Sequence, residues 1–155
     1  MLHTVATIAL IAILIPIAII DHRRQIIPNA LNLVLLVAGL IFAASEGFDH
    51  LLWACLSVAT AGLFFLALKW GYDRLRKRQG LGWGDVKFLT AAGAWASPAQ
   101  MPWVVLAASM SALLYVILIV LRQNKRFSFT DRIAFGPHLA LGLFAAWSLK
   151  PYISL

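Results

Sequence analysis

Two of the six acidic residues in the chain, Asp21 and Asp85, adjoin apolar runs directly, and they are the side chains best placed to do chemistry. An ionisable group at the edge of hydrocarbon is expensive to hold, so it is a functional signal by default. Two carboxylates brought close together in a partly dry site cannot both ionise, and the pair then shares one proton. One member can take a proton from water while the other delivers one to an oxygen or a leaving nitrogen. Taken singly, each also reads as a helix-end aspartate facing headgroups, and an N-terminal position suits Asp85 by the helix dipole. The remaining acids read as structural. Glu46 and Asp49 fall in a short solvated loop, Asp73 sits among Arg74, Arg76 and Lys77 as a surface ion pair, and Asp131 neighbours Arg132. Such exposed pairs contribute little. A single cysteine, Cys55, excludes a disulfide framework and a zinc site made of four cysteines. No metal or cofactor is expected.

The elements that must position the two aspartates are membrane helices. Of 155 residues, 62% are hydrophobic and 12% charged, more apolar surface than a water-soluble domain of this length can cover. Apolar stretches run from Thr4 to Ile20, Ala30 to Ser45, Leu51 to Trp70, Val86 to Ala96, Pro102 to Leu121 and Ile133 to Leu149. This predicts an all-α polytopic bundle of about six transmembrane helices, a single membrane-embedded domain over residues 1–155. The fourth stretch reaches only about two-thirds of the roughly 17 residues a span needs, so its helix is expected to begin near Gly84 or Asp85. The first stretch is preceded only by His3 and ends in Ile19-Ile20-Asp21, without a positive leading region or a small-residue cleavage site. It reads as a retained helix rather than a signal peptide.

Charge alternates between the connections. Basic clusters occur at Arg23 and Arg24, at Lys69, Arg74, Arg76, Lys77 and Arg78, and at Arg122, Lys125, Arg126 and Arg132. The intervening loops carry Glu46, Asp49 and His50, or the neutral run Ser97-Pro98-Ala99-Gln100. The positive-inside rule makes the basic loops cytoplasmic and both termini non-cytoplasmic, which puts Asp21 and Asp85 at one depth on the cytoplasmic face. By the same reasoning the net charge of +7 reports orientation and contact with anionic lipid headgroups, not nucleic acid. Trp53, Trp70, Trp83 and Trp103 fall near span ends, as an aromatic belt requires. Pro28 stands at the start of the second helix, where a missing N–H costs nothing. Gly80, Gly82 and Gly84 break the chain before Asp85, so that another backbone or the opposite aspartate can come close. Gly136-Pro137 falls early in the last span, where proline should bend the helix.

Local spelling narrows the chemistry. The chain reads Asp21-His22-Arg23-Arg24-Gln25-Ile26-Ile27-Pro28-Asn29 around the first aspartate and Gly82-Trp83-Gly84-Asp85-Val86-Lys87 around the second. Both resemble the type 4 prepilin peptidases, membrane aspartic proteases of the Gly-x-Gly-Asp class, and Phe135-Gly136-Pro137 with Leu139-Ala140-Leu141-Gly142 resembles that family's last-helix signature. One such motif is weak evidence; three in order, spanning Asp21 to Gly142, are specific. The resemblance implies a bacterial inner-membrane endopeptidase that removes the basic leader of type IV prepilins or pseudopilins at the cytoplasmic face. Asp21 and Asp85 would be its catalytic pair, with Gly82, Gly84, Lys87, Pro28, Asn29, Gly136 and Pro137 in support.

Many relatives carry paired Cys-x-x-Cys motifs in an N-terminal extension and also methylate the new pilin N-terminus. With one cysteine and a span almost at residue 1, this chain resembles the short form, and peptidase activity without methyltransferase activity is expected. Lys87 reads as snorkelling to headgroups, or alternatively as a positive charge acting on Asp85; His22 could tune Asp21 similarly. His138 stands where the family often has an apolar residue and reads as a packing histidine without a second metal ligand nearby. Two other classes compete. A proton-coupled transporter or channel could use the aspartates as a relay, but an inverted repeat of three helices plus three would not make Asp21 and Asp85 equivalent. A non-catalytic assembly factor leaves the Gly-x-Gly-Asp spelling unexplained.

Overall fold

The computed structural model describes residues 1–76, 80–123 and 133–149. Among these the chain is all-α: α1 (Leu2–Arg24), α2 (Asn29–Glu46), α3 (Phe48–Arg76), α4 (Trp83–Ala92), α5 (Met101–Gln123) and α6 (Gly136–Ser148). Four of them, α1, α2, α3 and α5, are long and apolar enough to cross a membrane. With 10 and 13 residues, α4 and α6 extend only about 15 and 20 Å, against a hydrocarbon core of about 30 Å.

These two short helices form the centre. α4 packs against α2, α3 and α6, and α6 packs against α1 and α5. Leu10, Ile17, Leu35, Phe88, Val104, Leu139 and Leu143 are fully buried between them. Leucines, isoleucines and valines on the outer faces stay exposed, among them Ile8, Ile15, Leu63, Leu106, Leu113 and Leu118. A surface of that kind is matched by lipid, where each helix satisfies its own backbone. Burial against lipid gives helices no hydrophobic drive to associate, so small residues at the seams decide how closely they pack. A Cβ on Gly142 would collide with the Val104 carbonyl oxygen and lie 3.0 Å from the Ala108 nitrogen. One on Gly93 would lie 2.9 Å from the Ser57 carbonyl.

Several boundaries differ from expectation. α4 begins at Trp83 and stops at Ala92, where turns over residues 93–95 replace the helix expected to reach Ala96. Those turns are anchored from outside: Trp95 Nε1 donates to the Leu35 carbonyl at 2.8 Å, and Ser57 Oγ donates to the Ala96 carbonyl at 2.6 Å. α6 begins at Gly136 rather than Ile133, so Pro137 occupies its first turn and produces no interior bend. At that position the missing N–H has no helical partner to lose. Trp53, Trp70, Trp83 and Trp103 are all more than half exposed, whereas Trp95 and Trp147 belong to the core.

Candidate active site

Asp21 does not end its helix. α1 continues for another turn because the Asp21 carbonyl accepts the Gln25 N–H at 2.8 Å, and Gln25 closes the helix in the left-handed region at φ 52°. The carboxylate is therefore carried one turn inside α1, where it is 5% exposed. A buried carboxylate needs a donor, and the Gly136 N–H supplies one at 2.7 Å to Asp21 Oδ2. That N–H is free because it belongs to the first turn of α6, which has no carbonyl upstream to receive it. The fit is tight. A Cβ on Gly136 would stand 2.7 Å from Asp21 Oδ2 and 2.8 Å from its Cγ.

Asp85 lies in the first turn of α4, and its Oδ2 accepts the Gly82 N–H at 3.3 Å, half of a capping box. Gly82 makes this possible, since a Cβ there would stand 2.9 Å from Asp85 Oδ2. Gly84 has a different neighbour: its α-carbon faces Ile27, whose Cβ would be 3.2 Å from an added methyl. The close approach expected at the two glycines is thus made by the Asp85 carboxylate itself and by the residue before Pro28. The opposite aspartate is closest to a third glycine, Gly136.

Both carboxylates line one open cavity of about 590 Å³, bounded by residues 25–29, 80–85 and 133–135. Asp85 lies outside the four spanning helices and is half-buried. Its burial, and after that the nearby Asp21 carboxylate, push it up to about 6 from 3.8. The Gly82 N–H and the Lys69 ammonium act in the opposite direction.

The supporting residues are distributed around the pair. Pro28 is the N-cap of α2 and Asn29 its first residue. Lys87 does not snorkel freely, because its ammonium donates to Asn29 Oδ1 at 2.8 Å and so ties α4 to the start of α2. The lysine acting on Asp85 is Lys69. Lys69 belongs in sequence to a basic cluster expected at a cytoplasmic loop, but it is 3% exposed and donates to Asp73 Oδ2 at 2.9 Å. Asp73 is accordingly paired with Lys69, one helical turn earlier, rather than with the arginines beside it. The spacing of a lysine and an aspartate four residues apart was the available signal. His22 is exposed and does not line the cavity. His138 Nδ1 lies 3.0 Å from Ser111 Oγ, and its ring centroid lies 5.5 Å from that of Tyr115, in the seam between α5 and α6. Glu46 and Asp49 are exposed; Lys77, Arg78, Lys125, Arg126, Asp131 and Arg132 lie outside the described residues.

Residues 8–117, which include both aspartates, match the model of the type IV leader peptidase family. The chain belongs to that family. The prepilin leader peptidase/N-methyltransferase of Escherichia coli K12 is 38% identical over 125 residues, covering 81% of this chain and 54% of that protein. Those of Aeromonas hydrophila and Dickeya chrysanthemi are 34% and 35% identical, over 93% and 83% of this chain. The chain spans about half the length of the curated relatives it matches. No solved structure matches. As a multi-pass member of the type IV leader peptidase family, the chain offers no support for the transporter reading. Gly136, the partner of Asp21, lies beyond the residues matched by the family model.

Proposed function

We propose that this chain is a membrane aspartic endopeptidase that removes the basic leader of type IV prepilins or pseudopilins, with Asp21 and Asp85 as the catalytic pair. The observation that carries the reading is the single cavity lined by both carboxylates in a member of a leader peptidase family. In this reading residues 1–155 act as one peptidase domain of the bacterial inner membrane, with both termini on the non-cytoplasmic side. The cavity opens towards the cytoplasm, and anionic headgroups meet the basic loops.

Asp85 carries the shared proton into the reaction, since burial and the neighbouring carboxylate favour its protonated form. Asp21, with Oδ2 held by the Gly136 N–H, takes a proton from a water in the cavity. The water oxygen bonds to the scissile carbonyl carbon, and the Asp85 proton passes to the carbonyl oxygen. The tetrahedral diol then expels nitrogen: the C–N bond breaks, nitrogen takes the proton held by Asp21, and a hydroxyl proton returns to Asp85. The products are a carboxylic acid and a new amine, and the pair ends as it began.

The test is leader loss from a purified prepilin incubated with the protein in detergent. Asp21→Asn and Asp85→Asn are each expected to lower the rate by at least ~10²–10⁴-fold, the usual contribution of a positioned acid or base, with the folded protein retained. Full activity in either variant would refute the pair.

A further inference from the structure

Lys69 has no part in the steps above, yet its side chain is buried and its ammonium bonded twice. It is 3% exposed on α3, and its ammonium donates to Asp73 Oδ2 at 2.9 Å and to the Leu81 carbonyl at 2.7 Å. The same nitrogen lies 5.1 Å from the centroid of the Trp83 ring. Asp73 Oδ1 accepts the Gly80 N–H at 3.3 Å. One lysine–aspartate pair therefore holds Gly80, Leu81 and Trp83, the run of chain that leads into α4 two residues before Asp85. Burying an ammonium costs several kcal/mol unless its donors are well matched. Here both of its oxygen partners are in place.

We infer that Lys69 is a positioning residue for Asp85, fastening the 80–83 segment to the end of α3 and holding a positive charge beside the catalytic pair. The inference rests on the peptidase reading of Asp21 and Asp85. Glycine-rich chain between helices has little intrinsic rigidity, and Gly82 supplies the N–H that orients the Asp85 carboxylate. Whatever fixes this segment fixes that donor. Among the described residues, the charged groups around Asp85 are Asp21 from α1, Lys69 from α3 with its partner Asp73, and Lys87 on its own helix, whose ammonium is engaged by Asn29 of α2. α6 brings no charge to this point among its described residues, because His138 faces Ser111. Lys69 thus opposes the effects of burial and of Asp21 on Asp85.

The test compares Lys69→Met, Lys69→Arg and Asp73→Asn in the full chain in detergent. Two readouts are taken: kcat and KM for prepilin cleavage across pH, and hydrogen exchange of the amides of residues 80–85 without substrate. Lys69→Met is expected to lower kcat ~10–100-fold, the cost of sub-ångström misplacement, with KM changed less than ~3-fold. Its pH–rate limbs should move ~0.5 pH to the alkaline side, because removing a cation favours the protonated pair, and its 80–83 amides should exchange ~10-fold faster. Lys69→Arg should restore most of the rate and the limbs. Asp73→Asn, which frees the cation, should move the limbs to the acid side while also loosening Gly80. Unmoved limbs and unchanged exchange in Lys69→Met and Asp73→Asn would overturn the inference. If the unaltered protein cleaves no prepilin, the peptidase reading fails, and exchange in the 80–83 segment still decides whether Lys69 holds it.

Discussion

Replacing Gly136 by alanine tests the site where its packing is tightest. The new methyl carbon would stand 2.7 Å from Asp21 Oδ2 and 2.8 Å from its Cβ and Cγ. Ordinary contact begins near 3.4 Å, so the carboxylate or the start of α6 must move by about 0.7 Å to restore it. Neither can give cheaply, since Asp21 is buried within α1 and Gly136 is buried in the first turn of α6. Overpacking of this kind costs ~1–3 kcal/mol of stability. Weakening the 2.7 Å bond from the Gly136 N–H costs a further ~1–3 kcal/mol at the carboxylate proposed to accept the water proton. A misplacement of about an ångström costs ~10²-fold in rate, so kcat should fall ~30–100-fold while a folded protein persists. The assay is leader cleavage followed by gel mobility, with thermal unfolding in the same detergent. Gly71→Ala is the control: a Cβ there meets nothing within 4 Å, and alanine within a helix adds ~0.5–1 kcal/mol of stability. If Gly136→Ala keeps more than half of the activity of the unaltered protein, the carboxylate does not depend on its contact with α6, and the reasoning fails.

Two further outcomes follow from the same geometry. Asp85 is pushed up to about 6 from 3.8, so its contribution to stability is fully present below pH 3.8 and is lost as pH rises through about 6. Asp85→Asn, uncharged throughout, should reduce the fall in Tm between pH 5 and pH 8 seen by scanning fluorimetry; an unchanged fall would show that Asp85 does not cause it. The cleavage rate of the unaltered protein should also decline above pH 6, as the acid loses its proton. The Lys87 and Asn29 side chains, 2.8 Å apart, should show a coupling of ~0.5–1.5 kcal/mol in a double-mutant cycle of unfolding. A coupling near zero would leave Lys87 to solvent or headgroups.

Much was legible because membrane helices announce themselves locally. Length and apolarity identify a span without reference to any other element, and the four long helices fall where the apolar stretches lie. Both short helices were harder to place. The limits of α4 are set by capping at Gly82 and by bonds to the Leu35 carbonyl and from the Ser57 hydroxyl on other helices, and α6 begins where Gly136 meets Asp21. The burial of Lys69 and its choice as the partner of Asp73 were illegible for the same reason: they depend on residues 80 and 81, which fold over the pair from outside the run of charges.

Taken alone, the sequence determined an all-α membrane chain, two aspartates adjoining its apolar runs and a family resemblance carried by the residues around them. These are properties of composition and of short runs, and they need no long-range contact. Tertiary structure alone decided that Asp21 and Asp85 line one cavity, since they are carried on helices separated by two others in the chain. It also decided that an N–H 115 residues away holds the first carboxylate. Glycine spelling marks where the backbone is bare, but which group fills that space depends on how the helices pack.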